Sequence, residues 1–183
     1  MKNLLKEWMG NDFFALHPLL QELHSDGGVL EGDVNIRIPK FGLSHYLGKK
    51  LATKLGLPSD NGKHSLKISI SQQKDKIIWD RTFDEKYKMT SIFKPVGIKE
   101  SGFLLEESGP VKMRLTVDVK NGAWHWRWLD VSSKQKSILR LVFPYSKAYK
   151  YINDKNEYVF SVQFKLFGLG QILSYEGILE RTK

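Results

Sequence analysis

The chain has 183 residues, a formal charge of +9 at pH 7 and no cysteine. Apolar residues make up 41% and charged residues 27%, a balance that supports a packed core and argues against a disordered chain. Disulfide scaffolds, thiol nucleophiles and thiolate metal sites are excluded, and the length fits a single domain over residues 1–183.

The first thirty residues read as helical: Trp8, Met9, Phe13, Phe14, Leu16, Leu19, Leu20 and Leu23 recur at mixed three- and four-residue spacings. Asn11 or Asp12 suits a helix cap and Pro18 sits badly inside a helix, so a break is expected near His17. A short helix then stops at Asp26-Gly27-Gly28. The period next changes to two. Val34, Ile36 and Ile38 alternate with Asp33, Asn35 and Arg37, which predicts a strand with one buried face, ended by Pro39. Helical spacing returns over 43–56 through Leu43, Tyr46, Leu47, Leu51 and Leu55, and Gly56 and Pro58 terminate it.

From Lys63 onward the two-residue rhythm persists. Leu66, Ile68 and Ile70 share one face, and Ile77, Trp79, Arg81 and Phe83 share a face in the next run. Further strands are expected at 88–95, 99–107, 111–120, 123–132, 137–143, 148–153, 157–166 and 171–180. Asn121-Gly122 is the best-marked hairpin turn, because both residues accept positive φ. The fold class is therefore mainly β (α+β): a curled or closed antiparallel barrel-like meander, with a helical segment over 1–28 and a helix inserted after the first strand of 29–183. An open sheet of about nine strands would leave two edges and a bare face, and closing it removes both problems. The N-terminal helices would plug an open end.

No apolar signal-peptide core follows Met1-Lys2, and no run of apolar residues is long enough to span a membrane, so a cytoplasmic protein is expected. The positive charge invites a nucleic-acid reading, but the distribution argues against it. Residues 1–91 hold 14 basic and 11 acidic groups, and residues 92–183 hold 15 and 9. The densest basic stretch, Lys134, Lys136, Arg140, Lys147, Lys150 and Lys155 with Tyr145, Tyr149 and Tyr151 between, reads as a solvated lysine surface.

Metal sites on helices need histidine pairs four apart, and His17, His24, His45, His64 and His125 supply none. No motif implies a cofactor, and there is no nucleophile elbow. His17 and His24 read first as helix-terminus histidines. Arg81 is more informative. It shares a face with Trp79 and Phe83, and a guanidinium placed inside a barrel must find a carboxylate or several carbonyls. If that face is exterior, Trp79 and Phe83 need cover from the N-terminal helices; if it is interior, two outcomes are open: a structural pair with Glu106 or Glu176, or a grip on an acidic amphiphile. Trp124, Trp126 and Trp128 share a face opposite His125 and Arg127. Glu106 and Glu107 are adjacent in a strand, so they point to opposite faces and cannot act as paired carboxylates.

Several motifs together carry a likeness. Leu16-His17-Pro18 with Leu23-His24, Trp79-x-Arg81-x-Phe83, Leu105-Glu106-x-x-Gly109-Pro110, Phe143-Pro144, Gly168-x-Gly170 and Tyr175-x-Gly177-x-Leu179 occur in this order. With them the chain resembles the bacterial domain-of-unknown-function 4166 family over nearly its whole length. One departure is Gly177-Ile178-Leu179, where the family ends Gly-Trp-Leu and carries an aromatic. The resemblance implies a stand-alone copy of a domain found elsewhere attached to Rossmann-type reductase-like domains, hence a reductase-like protein partner. It implies no activity, cofactor or substrate.

The leading expectation is non-enzymatic binding of a small apolar or amphipathic ligand inside the curled sheet. Arg81 and Tyr175 would make the polar contacts and Trp79 and Phe83 the walls, with Glu106, His17 and His24 as further site residues. A pocket of ~300 Å³ or more is the expected signature. One alternative is an interaction module docking a partner domain through an exposed apolar or basic face. Another is an enzyme whose acid–base groups are His17, His24 and Glu106, which would have to converge in one cleft.

Overall fold

A computed structural model describes residues 3–109, 111–132 and 145–182. The strand expected at 137–143 lies outside the described residues, as do Pro110, Lys134, Lys136, Arg140, Phe143 and Pro144. Three short helices come first: α1 (Leu4–Met9), α2 (Asn11–Phe14) and α3 (Pro18–Asp26). They are followed by β1 (Gly28–Arg37), α4 (Gly42–Leu55), β2 (Gly62–Gln72), β3 (Ile77–Phe83), β4 (Tyr87–Val96) and β5 (Phe103–Ser108). Then come β6 (Val111–Lys120), β7 (Ala123–Ser132), β8 (Tyr145–Ile152), β9 (Tyr158–Leu166) and β10 (Gly170–Thr182).

The strands form an antiparallel meander that closes where β1 pairs with β10, so every strand has two neighbours. Closure satisfies the edge groups that an open sheet would expose. The first strand is longer than expected, because it begins directly after Gly27 rather than at Asp33. The fifth is shorter: residues 99–101 form the turn before Phe103, and Lys99 N–H donates to the Trp8 carbonyl at 2.9 Å. Two glycines shape the wall. Gly32 on β1 and Gly177 on β10 both face inward, and a Cβ on either would press on the carbonyl of the adjoining strand.

The period-two faces turn inward as a set. Ile77, Trp79, Arg81 and Phe83 on β3 meet Phe93, Ser91, Met89 and Tyr87 on β4. Val119, Val117 and Leu115 on β6 meet Trp124, Trp126 and Trp128 on β7, with a bulge between Arg114 and Leu115. His125 and Arg127 face outward, where Arg127 pairs with Asp118 at 3.0 Å.

Helices cap both ends. Around one rim, α1–α3 are pinned to successive hairpins. Leu4 N–H donates to the Gln72 side-chain carbonyl at 3.0 Å, and His17 N–H donates to the Gly122 carbonyl at 2.9 Å. The Tyr158 hydroxyl donates to the Leu19 carbonyl at 3.1 Å, and Arg181 pairs with Glu22. The break near Pro18 is thus what lets the chain turn onto the rim. At the other rim α4 lies against β10, so close that a Cβ at Gly48 would collide with the Ile172 carbonyl. No helix among the described residues is long and apolar enough to cross a membrane.

Candidate functional site

Between the two caps the barrel encloses a cavity of about 120 Å³. Leu23 of α3 and Leu51 and Leu55 of α4 reach it from the ends, and Trp79, Phe93, Met89 and Trp126 contribute to its apolar wall. The aromatic wall is continuous. Phe93 and Trp126 stack at 5.3 Å with an interplanar angle of 11°, and Trp79 tilts against Phe93 at 4.9 Å.

Polar groups interrupt this wall in two places. The first spans β3 to β5. Arg81 Nη1 donates to Ser91 Oγ at 2.9 Å, the Ser91 and Ser108 hydroxyls share a hydrogen bond of 2.6 Å, and Ser108 Oγ donates to Glu106 Oε1 at 2.8 Å. With Ser108 donating to the carboxylate, Ser91 must donate to Ser108, so each hydroxyl accepts from one side and donates to the other. Register explains the placement: Ser91 sits opposite Ser108, and Trp79, two residues before Arg81, sits opposite Ser91. Burial pushes the Glu106 carboxyl up, against the opposing pull of Arg81 and the two serine hydrogen bonds.

The second place is where α3 meets β7 and β8. Lys150 Nζ lies 4.1 Å from the centre of the Trp79 ring, 4.2 Å from that of Trp124, and 2.5 Å from His24 Nε2. The His24 ring stacks on Trp79 at 5.6 Å and tilts against Trp124 at 4.7 Å. Burial, helped by the neighbouring Lys150, holds His24 well below the usual imidazole range. Burial, helped by the charge of Arg81, holds the Lys150 amine well below the usual lysine range.

Donors outnumber acceptors here. The indole N–H groups of Trp79, Trp124 and Trp128 are buried without an acceptor among the described residues, as is one ring nitrogen of His24, Nδ1. Among the described residues Arg81 makes one hydrogen bond, to Ser91, and otherwise lies over Trp79 at 5.3 Å. An orphaned buried donor costs roughly 1–3 kcal/mol.

Of the residues expected at a site, Trp79, Arg81, Glu106 and Tyr175 line the cavity. Burial pushes the Tyr175 phenol up. His24 touches the cavity-lining Lys150 and Trp79. Phe83 does not line the cavity: it is fully buried behind it, edge-on to Tyr175 at 5.8 Å. His17 stands apart at the rim, where its Nδ1 caps α3 by accepting from Leu19 N–H at 3.3 Å. His17, His24 and Glu106 therefore do not converge in one cleft. Glu176 is not the partner of Arg81 either, since it faces outward and pairs with Arg37 at 3.3 Å. Lys150 went unrecognised among surface lysines. The available signal was its register with Ala148 and Ile152, two inward positions on the same strand. No cluster of three or more metal-ligating side chains occurs among the described residues.

Fold and site together define a class: a closed, helix-capped antiparallel barrel with cationic and aromatic side chains facing a small interior cavity. The protein-family model described as Domain of unknown function (DUF4166) matches residues 16–179, and the chain belongs to that family. No curated protein matches the chain.

Proposed function

We propose that the barrel interior binds a small organic anion, a carboxylic acid with a short apolar body being the best fit. The observation that carries this reading is the donor surplus. Arg81 and Lys150 line one cavity, the indole N–H of the adjoining Trp79 is buried without an acceptor among the described residues, and the nearby carboxylate, Glu106, already accepts from Ser108. An occupant that supplies acceptors relieves this imbalance, and a guanidinium grips a carboxylate through two parallel hydrogen bonds. The size of the cavity restricts the occupant. About 120 Å³ falls below the ~300 Å³ expected for a drug-sized ligand, whereas a cavity of about 150 Å³ takes benzene. The cavity is smaller than one that takes benzene, so the ligand is closer to a short-chain acid such as butyrate than to benzoate or a long fatty acid.

Native mass spectrometry and calorimetry with a ladder from butyrate and benzoate to long-chain fatty acids test this. Retention of the short members, lost in Arg81→Met and weakened in Arg81→Lys, is the expected outcome. If no acid binds, or if Arg81→Met binds as well as the parent chain, the reading fails.

A second reading, docking of a partner domain, is favoured by one observation. Phe41, Leu43 and Tyr46 at the start of α4 are 84%, 58% and 59% exposed, and Phe167 in the β9–β10 turn is 80% exposed. Solitary exposed apolar residues are common, but a group of this kind favours a contact surface. Co-elution with a reductase-like domain, abolished by Phe41→Ser with Tyr46→Ser, is the test.

A further inference from the structure

We propose that Lys150 is a covalent capture site, whose Nζ condenses with the carbonyl carbon of a small aldehyde or ketone admitted to the cavity. This rests on the cavity admitting a small molecule, but not on that molecule being an anion.

The geometry singles out this lysine. On β8 it faces inward opposite Trp124 of β7 and Phe160 of β9, and it lines the cavity. Other lysines pair with carboxylates at the surface: Lys63 with Asp33 at 2.8 Å, Lys67 with Glu31 at 2.6 Å, Lys112 with Glu107 at 2.8 Å. Lys150 has no carboxylate within ion-pair distance among the described residues, and its hydrogen-bond partner is an imidazole. Among the described residues, the charged and titratable groups facing the amine are His24 from α3 and Arg81 from β3, and Glu106 and Tyr175 line the same cavity. Burial and the Arg81 charge both favour the neutral amine, the form that carries a lone pair.

The step balances without an oxidant or reductant. The amine lone pair forms a C–N bond to the carbonyl carbon while the C=O π pair moves to oxygen. A proton passes from nitrogen to that oxygen, and the His24 imidazole, bonded to Nζ through Nε2, is placed to relay it. Loss of a second N–H proton and of hydroxide, together one water, leaves the imine. Should the imine nitrogen take up a proton, the Trp79 and Trp124 faces lie against the resulting cation.

The test treats the full chain with propionaldehyde and cyanoborohydride at neutral pH, which fixes an imine as a secondary amine, and maps the product by peptide mass. Lys150 is expected to be labelled about tenfold faster than Lys63 or Lys67, as follows from even a tenfold larger fraction of free amine. The fast site should vanish in Lys150→Arg. In His24→Gln labelling of Lys150 should slow and its pH profile should change, while the surface lysines react as before. Labelling of Lys150 no faster than Lys63 in chain shown to be folded by circular dichroism would overturn the proposal. Fast labelling together with failure of every carboxylate to bind would overturn the anion reading and leave this one standing.

Discussion

Two parts of one cavity solve the problem of an interior cation in opposite ways. Across β3 to β5, the Arg81 charge is led through two serine hydroxyls to a carboxylate, so a donor chain runs from guanidinium to Glu106. Where α3 meets β7 and β8, the Lys150 ammonium would meet two indole faces and a histidine ring, with no carboxylate in contact among the described residues. A buried charge led to a counter-ion is tolerated, whereas burial without one favours the neutral form. One side of the cavity therefore supports a cation, and on the other burial weakens the hold of the amine on its proton. The first suits gripping an anion, and the second suits attacking an electrophile.

The largest test of this contrast removes a wall of the lysine corner. Trp124 is fully buried and touches His24, Trp126 and Lys150. Trp124→Ala is expected to cost about 3–5 kcal/mol in urea unfolding. It should also admit water to Lys150 and slow its labelling at neutral pH. A cost within that range with labelling unchanged would show that the indole does not set the state of the amine.

Next come two substitutions of opposite sign. Arg81→Met breaks the relay and leaves Ser91 and Glu106 without their cation, at a cost of about 2–3 kcal/mol. Lys150→Met removes a half-buried amine with no counter-charge in contact among the described residues and is expected to stabilise by about 1 kcal/mol. Equal and like-signed shifts in the two variants would erase the distinction. The pH dependence separates them again. The lowered Lys150 binds fewer protons in the folded than in the unfolded chain between its depressed value and its ordinary 10.5, so there stability rises with pH. Glu106 is raised, so its contribution is complete below its ordinary 4.5 and declines as pH climbs through its raised value. Urea midpoints across pH should lose the alkaline slope in Lys150→Met and the acidic one in Glu106→Gln.

Much of this architecture was legible in the residues because period-two burial is a strong local signal. The Trp124, Trp126 and Trp128 face, the shared face of Trp79, Arg81 and Phe83 and the opposed Glu106 and Glu107 all follow from alternation alone, whereas the inward direction of Arg81 does not. Closure was legible only as the remedy for sheet edges. Lys150 was hidden by its neighbours. Tyr149 and Tyr151 flank it with large aromatic rings, yet they stack on each other at 6.3 Å on the face opposite Ala148 and Lys150. Aromatic content and charge, taken without Ala148 and Ile152, put the lysine on the wet face. Its partner His24 lies 126 residues away in sequence, so no spacing rule could join them. The Ser91–Ser108 link was equally hidden, because strand register brings the two together and serine carries no burial signal. Phe83 shares the face of Arg81 but does not border the cavity, since a shared face says nothing about which of its residues border the empty space.

The smallest effect comes from a charge pair outside the cavity, and it measures how much the low-dielectric interior matters. In the β3–β4 turn Asp84 has φ +48°, a left-handed conformation that Asn also tolerates. Its carboxylate accepts from Ser65 N–H at 2.9 Å and faces His64 Nδ1 at 2.6 Å. The His64 hydrogen bond is the main reason the carboxyl lies below its ordinary range. Asp84→Asn keeps the turn and an acceptor for Ser65 but loses the charge. Because Asp84 is largely open to solvent, the loss should be only about 0.5 kcal/mol at neutral pH. A lowered carboxyl stabilises above its ordinary value of 3.8 and ceases to do so as pH falls through its depressed value. The Asp84→Asn penalty should therefore fade on acidification and weaken in high salt. The Lys150→Met gain should persist in high salt, because the barrel wall screens that site from ions. If salt reduced both alike, the cavity would be wet, and the neutral amine assigned to Lys150 would have no physical basis.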